Sequence, residues 1–170
     1  MDFGVYQPQF EFGTSEKFKE KLNENIKRQR EIVKDAIYSK VEVYVLDNKA
    51  AGTKMVNTYK KIAIRCFNSE SDKIMRGVKW NNVKQSEEKI KKSYEVINKF
   101  LESLRMYIKG QYLTLKIEEL HLRHEYAEQL NKEREARREE NARIREEERA
   151  QKEIEQAKLK AEKEEEMYQK

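Results

Sequence analysis

Apolar residues recur at intervals of three and four along most of the chain, the spacing that places them on one face of an α-helix. Four such series predict four helices. The first follows a Thr14–Ser15 cap and runs to about Tyr38, the third follows a cap at Asn82, and the fourth starts near Gln111, just after the helix-ending Gly110. The apolar series of the first three helices are Phe18, Leu22, Ile26, Val33 and Ile37; Met55, Tyr59, Ile62, Ala63, Cys66 and Phe67; and Ile90, Tyr94, Ile97, Leu101 and Leu104.

One short segment has a different period. Residues 41–46 are rich in β-branched side chains that repeat every second position, which predicts a strand. A single strand needs a hydrogen-bonding partner, and the sequence does not identify it. The predicted fold is therefore mostly α with a small β element.

A polar block lies inside the second helical series. Short amide and acid side chains compete for backbone hydrogen bonds, so residues 65–72 are predicted to interrupt the helix as a structural junction. A turn at residues 80–82 follows it. The candidate binding or junction residues are Arg65, Asn68, Glu70, Asp72, Lys73, Arg76, Lys79, Trp80, Asn81 and Asn82.

The last forty residues have a different character. Residues 131–170 contain few apolar side chains and many opposite charges spaced for i,i+4 pairing, which favours a charged helix. Ala150, Ile154, Ala157 and Ala161 have a heptad spacing, so a coiled-coil dimer through 131–170 is the alternative to an unpaired helix. We therefore expect a compact helical domain at 1–130, followed by a long charged connector helix.

Composition limits the function. Charged residues make up 41% of the chain and mean hydropathy is −1.08, while the net charge of +5 is unevenly distributed. Residues 51–110 contain 14 basic and 6 acidic side chains, whereas 111–170 contain 14 and 17. An anionic partner such as DNA is therefore expected to bind the middle third.

The sequence contains no apolar stretch long enough for a membrane span and no secretory signal, so the expected location is cytoplasmic, although a parent protein could be membrane-associated. The single cysteine, Cys66, excludes an internal disulfide and is expected to be a small buried apolar side chain.

No arrangement typical of an enzyme is present. His121 and His124, beside Glu118 and Glu125, have helical spacing but no third ligand on another element, so a metal site is not expected. Glu70 and Asp72 are interpreted as structural rather than as paired catalytic acids. We expect no catalytic residues and no cofactor or metal.

The polar block also resembles a known family. Its motifs are Arg65-x-Phe67-Asn68-x-Glu70-x-Asp72, Val78-Lys79-x-Asn81-Asn82, Tyr112-Leu113-x-Leu115-Lys116-x-Glu118-Glu119-Leu120, and an opening Asp2-Phe3-Gly4-Val5-Tyr6. In order and spacing these are similar to a bacterial and phage domain family of unknown function that precedes a C-terminal GIY-YIG nuclease domain, often with flanking coiled coils.

The resemblance implies a non-catalytic recognition or regulatory domain of a nuclease-type protein, with a role in phage defence. Its partner would be a phage protein, a second copy of the chain, or DNA. Two alternatives stay open: a nucleic-acid-binding module acting through residues 51–110, and an oligomerisation spacer formed by 131–170.

Overall fold

The computed structural model describes residues 6–40 and 42–168, with side chains described as far as residue 163. The opening motif at 2–5 and the first residue of the predicted strand therefore lie outside the described residues. The helices are α1 (Ser15–Ile32), α2 (Lys49–Arg76), α3 (Val83–Glu102) and α4 (Gly110–Tyr168). Two strands, β1 (Ile37–Ser39) and β2 (Met106–Ile108), complete the fold, and a 3₁₀ turn at Val33–Asp35 precedes β1. The prediction of a mostly α fold with a small β element is confirmed.

The two strands form a small antiparallel sheet. Ile37 pairs with Ile108 and Tyr38 with Tyr107, whose rings stack 5.0 Å apart. Asn98 of α3 anchors the sheet because its Oδ1 accepts the backbone N–H of Ile108 at 2.7 Å. The prediction that the first helix runs to about Tyr38 is therefore wrong at its C-terminal end, since α1 ends at Ile32 and Ile37 belongs to a strand.

The strand predicted at 41–46 is wrong. Over its described part, residues 42–48 form a loop with a single bridge between Val45 and Asn48. Leu46 and Asp47 have φ angles of 49° and 60°, in the left-handed region that no strand can use. The strand lies at Ile37–Ser39 instead, where Ile37 is buried and the segment pairs with β2. The alternating pattern at 41–46 was therefore not sufficient to predict strand pairing.

The polar block does not interrupt its helix, so that prediction is also wrong. α2 runs without a break from Lys49 to Arg76 and ends at Gly77, whose N–H donates to the carbonyl of Ile74 at 3.0 Å. Side chains of the block bond to other elements instead of to their own backbone. Tyr112 of α4, for example, donates to Asn68 Oδ1 at 2.9 Å.

The core lies where α2, α3 and the first part of α4 meet the sheet. Its most buried side chains include Phe67, Ile90, Ile108, Tyr112 and Leu120, none more than 2% exposed. α1 packs largely through polar groups: Asn25 and Gln29 are buried, and Gln29 Nε2 donates to Glu119 Oε2 at 2.8 Å. Predicted apolar positions Leu22 and Ile26 are only half-buried.

Contacts divide the chain into two units, one ending at Gln129 and the other beginning at Leu130. In the second unit the described side chains are almost all exposed, and Arg143 forms ion pairs with Glu140 at 2.9 Å and Glu147 at 3.7 Å. Among the described residues, no helix is both long enough and apolar enough to cross a bilayer.

Gly52 provides a test of how the 42–48 loop packs on α2. A Cβ at this buried position would lie 1.6 Å from the carbonyl oxygen of Val43, so the backbone must move to accept it. Gly52→Ala is expected to lower the free energy of unfolding by about 1–3 kcal/mol, measured by urea denaturation. Gly110→Ala is the control, because nothing lies within 4 Å of its Cβ position. Equal stability of Gly52→Ala and the parent chain would contradict this packing.

Candidate nucleic-acid interface

The turn between α2 and α3 is held by one side chain. Asn82 Oδ1 accepts the backbone N–H of Lys79 at 2.6 Å, and its Nδ2 donates to the carbonyl of Gly77 at 3.0 Å. Asn82 occupies the position before α3 but makes no side-chain cap to that helix. The residue predicted to be a helix cap therefore fixes the turn that brings α2 and α3 together.

A groove of about 580 Å³ lies between the second half of α2 and the first part of α3. Small residues keep it open, since Gly77, Ser86 and Ser93 all contribute to its lining. The lining residues are Glu70, Lys73, Ile74, Gly77, Asn82, Ser86, Lys89, Lys92, Ser93 and Val96. Two helices thus supply three lysines and one carboxylate to one surface.

The three lysines, Lys73, Lys89 and Lys92, are exposed and have no ion-pair partner within the part of the chain that the structure describes. Their neighbour Lys91 differs, because its Nζ lies 2.7 Å from Glu87 and 3.3 Å from Glu88. The ammonium groups of the groove lysines are therefore available to an external anion.

The single carboxylate of the groove is already engaged. Ser93 Oγ donates to Glu70 Oε2, and Cys66 Sγ lies 3.7 Å from Glu70 Oε1. Partial burial, together with the negative charge of Glu70 and the hydrogen bond to it, raises the pKa of the Cys66 thiol. Cys66 is exposed, which corrects the expectation of a buried side chain. Glu70 acts here as a link between α2 and α3.

The ten candidate residues separate into four groups. Glu70, Lys73 and Asn82 line the groove, while Arg76, Lys79, Trp80 and Asn81 are exposed on or beside the turn that closes it. Asn68 and Asp72 contact α4 instead, at Tyr112 and, 3.8 Å away, at Lys116. Arg65 is exposed on α2 and does not line the groove.

Sequence reasoning missed the contribution of α3. Ser86, Lys89, Lys92, Ser93 and Val96 are spaced by three and four residues, so they share one helical face. This combination of small and basic side chains on one face is the sequence pattern that could have indicated the groove. Lys89 and Lys92 belong to the basic segment 51–110 expected to bind an anion, but the sequence alone did not show that they share a surface with Lys73.

A second polar cluster joins the N-terminal segment to α4. The buried carboxylate of Glu125 accepts the hydroxyl of Tyr6 at 2.5 Å and the backbone N–H groups of Gln9 and Phe10 at 2.7 and 3.1 Å. Burial is the main reason that the pKa of the Tyr6 hydroxyl is raised, and the hydrogen bond to Glu125 raises it further. These bonds fix the chain ahead of α1 against α4.

His121 lies in the same cluster, between Tyr6 and Glu87. Its Nδ1 is 3.0 Å from the Tyr6 hydroxyl and its Nε2 is 3.0 Å from Glu87 Oε2. Within the described ranges, no group of three His, Cys, Asp or Glu side chains is arranged to hold a metal ion. Both nitrogens of His121 have protein partners, and burial lowers the pKa of neighbouring His124.

Glu87 gives this cluster a testable pH dependence. Partial burial alone would raise its pKa, but Lys91 and His121 lower it below the ordinary value of 4.5. A carboxyl with a lowered folded-state pKa stabilises the fold above its ordinary pKa, and this contribution is lost as the pH falls through the folded-state value. Glu87→Gln is therefore expected to make the loss of unfolding free energy below about pH 4.5 less steep.

The measurement is urea unfolding at a series of pH values. Glu88→Gln is the matched control, because Glu88 is 72% exposed and adjacent in sequence. The control should follow the parent chain. The assignment is contradicted if Glu87→Gln retains the parent's acid dependence.

Comparison with known families agrees with the resemblance noted from the motifs. Residues 15–131 match the SNIPE associated domain, a family associated with GIY-YIG nucleases, so the match spans both helices of the groove. No curated protein and no solved structure matches the chain. An accessory role beside a nuclease is consistent with this family. Because the match covers more than half of the sequence, the chain belongs to the SNIPE associated domain family.

Proposed function

We propose that this chain is a non-catalytic nucleic-acid-binding domain that holds phosphates in the groove between α2 and α3 and so positions DNA for a GIY-YIG nuclease in phage defence. The observation that carries the proposal is the convergence of Lys73, Lys89 and Lys92, all without ion-pair partners among the described residues, on one groove. The family's association with nucleases makes DNA the natural polyanion.

The charge around the groove supports this binding mode. Arg76 and Lys79 are exposed beside the turn at its end, which adds two cations to the three in the groove. Lysines act as point charges toward phosphate and release condensed counterions when they bind, so such an interface is sensitive to salt. Three lysines outnumber the single carboxylate in the groove lining, and that carboxylate accepts a hydrogen bond from Ser93.

The groove does not resemble a hydrolytic site. Its carboxylate links α2 to α3, and its thiol neighbour Cys66 has a raised pKa. A cleavage step needs a nucleophile or a metal-bound water in addition to phosphate binding. We therefore propose that cutting is done by the associated nuclease domain.

The test is the affinity for a labelled DNA oligonucleotide as a function of salt. Lys89→Gln/Lys92→Gln is expected to weaken binding and to reduce the slope of log K against log salt by about 1.5, since each phosphate contact contributes about 0.7–0.9. Lys19→Gln/Lys27→Gln on α1 removes the same charge at exposed positions outside the groove. It should leave the slope nearly unchanged.

Two results would contradict the proposal. One is a parent chain whose affinity does not change with salt or that fails to bind DNA at low salt. The other is an equal loss of affinity in the groove variant and the α1 control, which would indicate a diffuse charge effect.

A protein partner is the second candidate, favoured by exposed apolar side chains on the same two helices. Phe100 is 73% exposed and Ile62 56%, and the Glu70–Ser93 bond places them at a similar level of the antiparallel pair. The partner bound there would be a phage protein or a second copy of the chain. Its binding should be unchanged in Lys89→Gln/Lys92→Gln and lost in Phe100→Ser. Opposite responses of the two variants would assign the partner to the groove instead.

The charged segment 131–170 retains its proposed role as a connector or oligomerisation helix. Ile144, Ile154 and Leu159 are its exposed large apolar side chains in the described region, at 43%, 58% and 50%. Their number is small for a strong coiled-coil seam. We propose the connector role first, with self-association as its alternative.

A further inference from the structure

Trp80 is the most unusual exposed side chain of the first unit. It is the sole tryptophan of the chain and is 73% exposed, although indole is one of the side chains that gains most from burial. The fold does not use it for packing. An exposed tryptophan that is close in sequence to exposed cations, here Arg76 and Lys79, can stack on a nucleic-acid base.

The backbone on both sides of Trp80 is fixed. Asn82 accepts the N–H of Lys79 and donates to the carbonyl of Gly77, so hydrogen bonds hold the turn at residues just before and after the indole. Gly77 and Asn82 also line the groove, so the turn that carries Trp80 adjoins it, although Trp80 is not itself one of the lining residues. A stacking surface held in this way loses little backbone freedom when a base binds.

The usual spacing of two packed helices favours one strand over two in the groove between them. Packed helices have axes only about 8–10 Å apart, so the depression between them is narrower than a single α-helix of about 10–12 Å with its side chains. A single sugar-phosphate backbone can enter such a depression, whereas a duplex can only contact its rim. Bases within a duplex are also stacked on one another and are not available to Trp80.

We infer that the ligand of this groove is a single-stranded nucleic acid, with phosphates on Lys73, Lys89 and Lys92 and an unpaired base stacked on Trp80. This inference rests on the proposed function and makes it more specific. DNA and RNA share the chemistry involved, an unpaired base beside a phosphate, so the test includes both.

The experiment uses selective excitation of tryptophan, which reports on Trp80 alone. The full chain is titrated with short oligothymidylate, with oligouridylate and with a duplex of the same length, and anisotropy of labelled strands gives the affinities. The inference predicts quenching of Trp80 emission by a single strand and weaker binding of the duplex. Because thymine carries a methyl group that uracil lacks, oligodeoxyuridylate of the same length is included, and the tighter of oligodeoxyuridylate and oligouridylate identifies the preferred sugar.

Three variants separate stacking from charge. Trp80→Ala is expected to weaken single-strand binding roughly tenfold or more, while Trp80→Phe keeps an aromatic face and most of the affinity. Tyr44→Ala is the aromatic control, because Tyr44 is 56% exposed and precedes α2, whereas Trp80 follows its other end. It should bind like the parent chain.

The outcomes distinguish this inference from the proposed function. If both single and double strands bind with a steep salt dependence while Trp80 emission and Trp80→Ala affinity stay unchanged, the single-strand inference is wrong and the phosphate groove stands. If no nucleic acid binds at low salt, the proposed function itself is wrong.

Discussion

The antiparallel packing of α2 on α3 creates the groove and determines which side chains line it. Phe67 on α2 and Ile90 and Ile97 on α3 are buried at or near their contact. Full burial of such a side chain contributes about 1.5–3 kcal/mol. This packing brings lysines that are distant in sequence into one groove, and without it they would be separate charges on two helices.

Polar contacts set the geometry of this packing. Ser93 donates to Glu70 across the helix pair, and Tyr112 of α4 donates to Asn68 from the other side of α2. Farther along α4, the buried Glu119 accepts from Gln29 and pairs with Lys116 at 3.1 Å. Burial would raise the pKa of Glu119, yet Lys116, Gln29 and Arg123 together lower it, so it remains a charged anchor for α1.

These contacts explain which structural features the sequence could predict. Helical periodicity is a local property, so four apolar series correctly indicated four helices. Pairing of Ile37–Ser39 with Met106–Ile108 is not local, since neither short segment carries a strand signal until the other is present. The loop at 42–48 has the stronger pattern, but Leu46 and Asp47 adopt left-handed conformations there.

The sequence indicated the part of the candidate site that α2 and the following turn contribute. The polar block was found because its composition is unusual, and Glu70, Lys73 and Asn82 do line the groove. Its interpretation as a break in the helix failed because Asn68 and Asp72 satisfy their side chains on α4, at Tyr112 and Lys116. The lysines of α3 were expected only as part of the basic segment 51–110, because single lysines on a helix look like ordinary surface residues until a second helix is placed beside them.

We propose that one groove, rather than the net positive charge of the chain, is the binding surface. Mass-spectrometric acetylation footprinting with and without an oligonucleotide tests this most directly, because it reports on every lysine in the native chain. We expect protection of Lys73, Lys89 and Lys92, with no change at the exposed Lys19 and Lys27 of α1. Uniform protection of all lysines, or protection on α1 with the groove lysines still reactive, would contradict it.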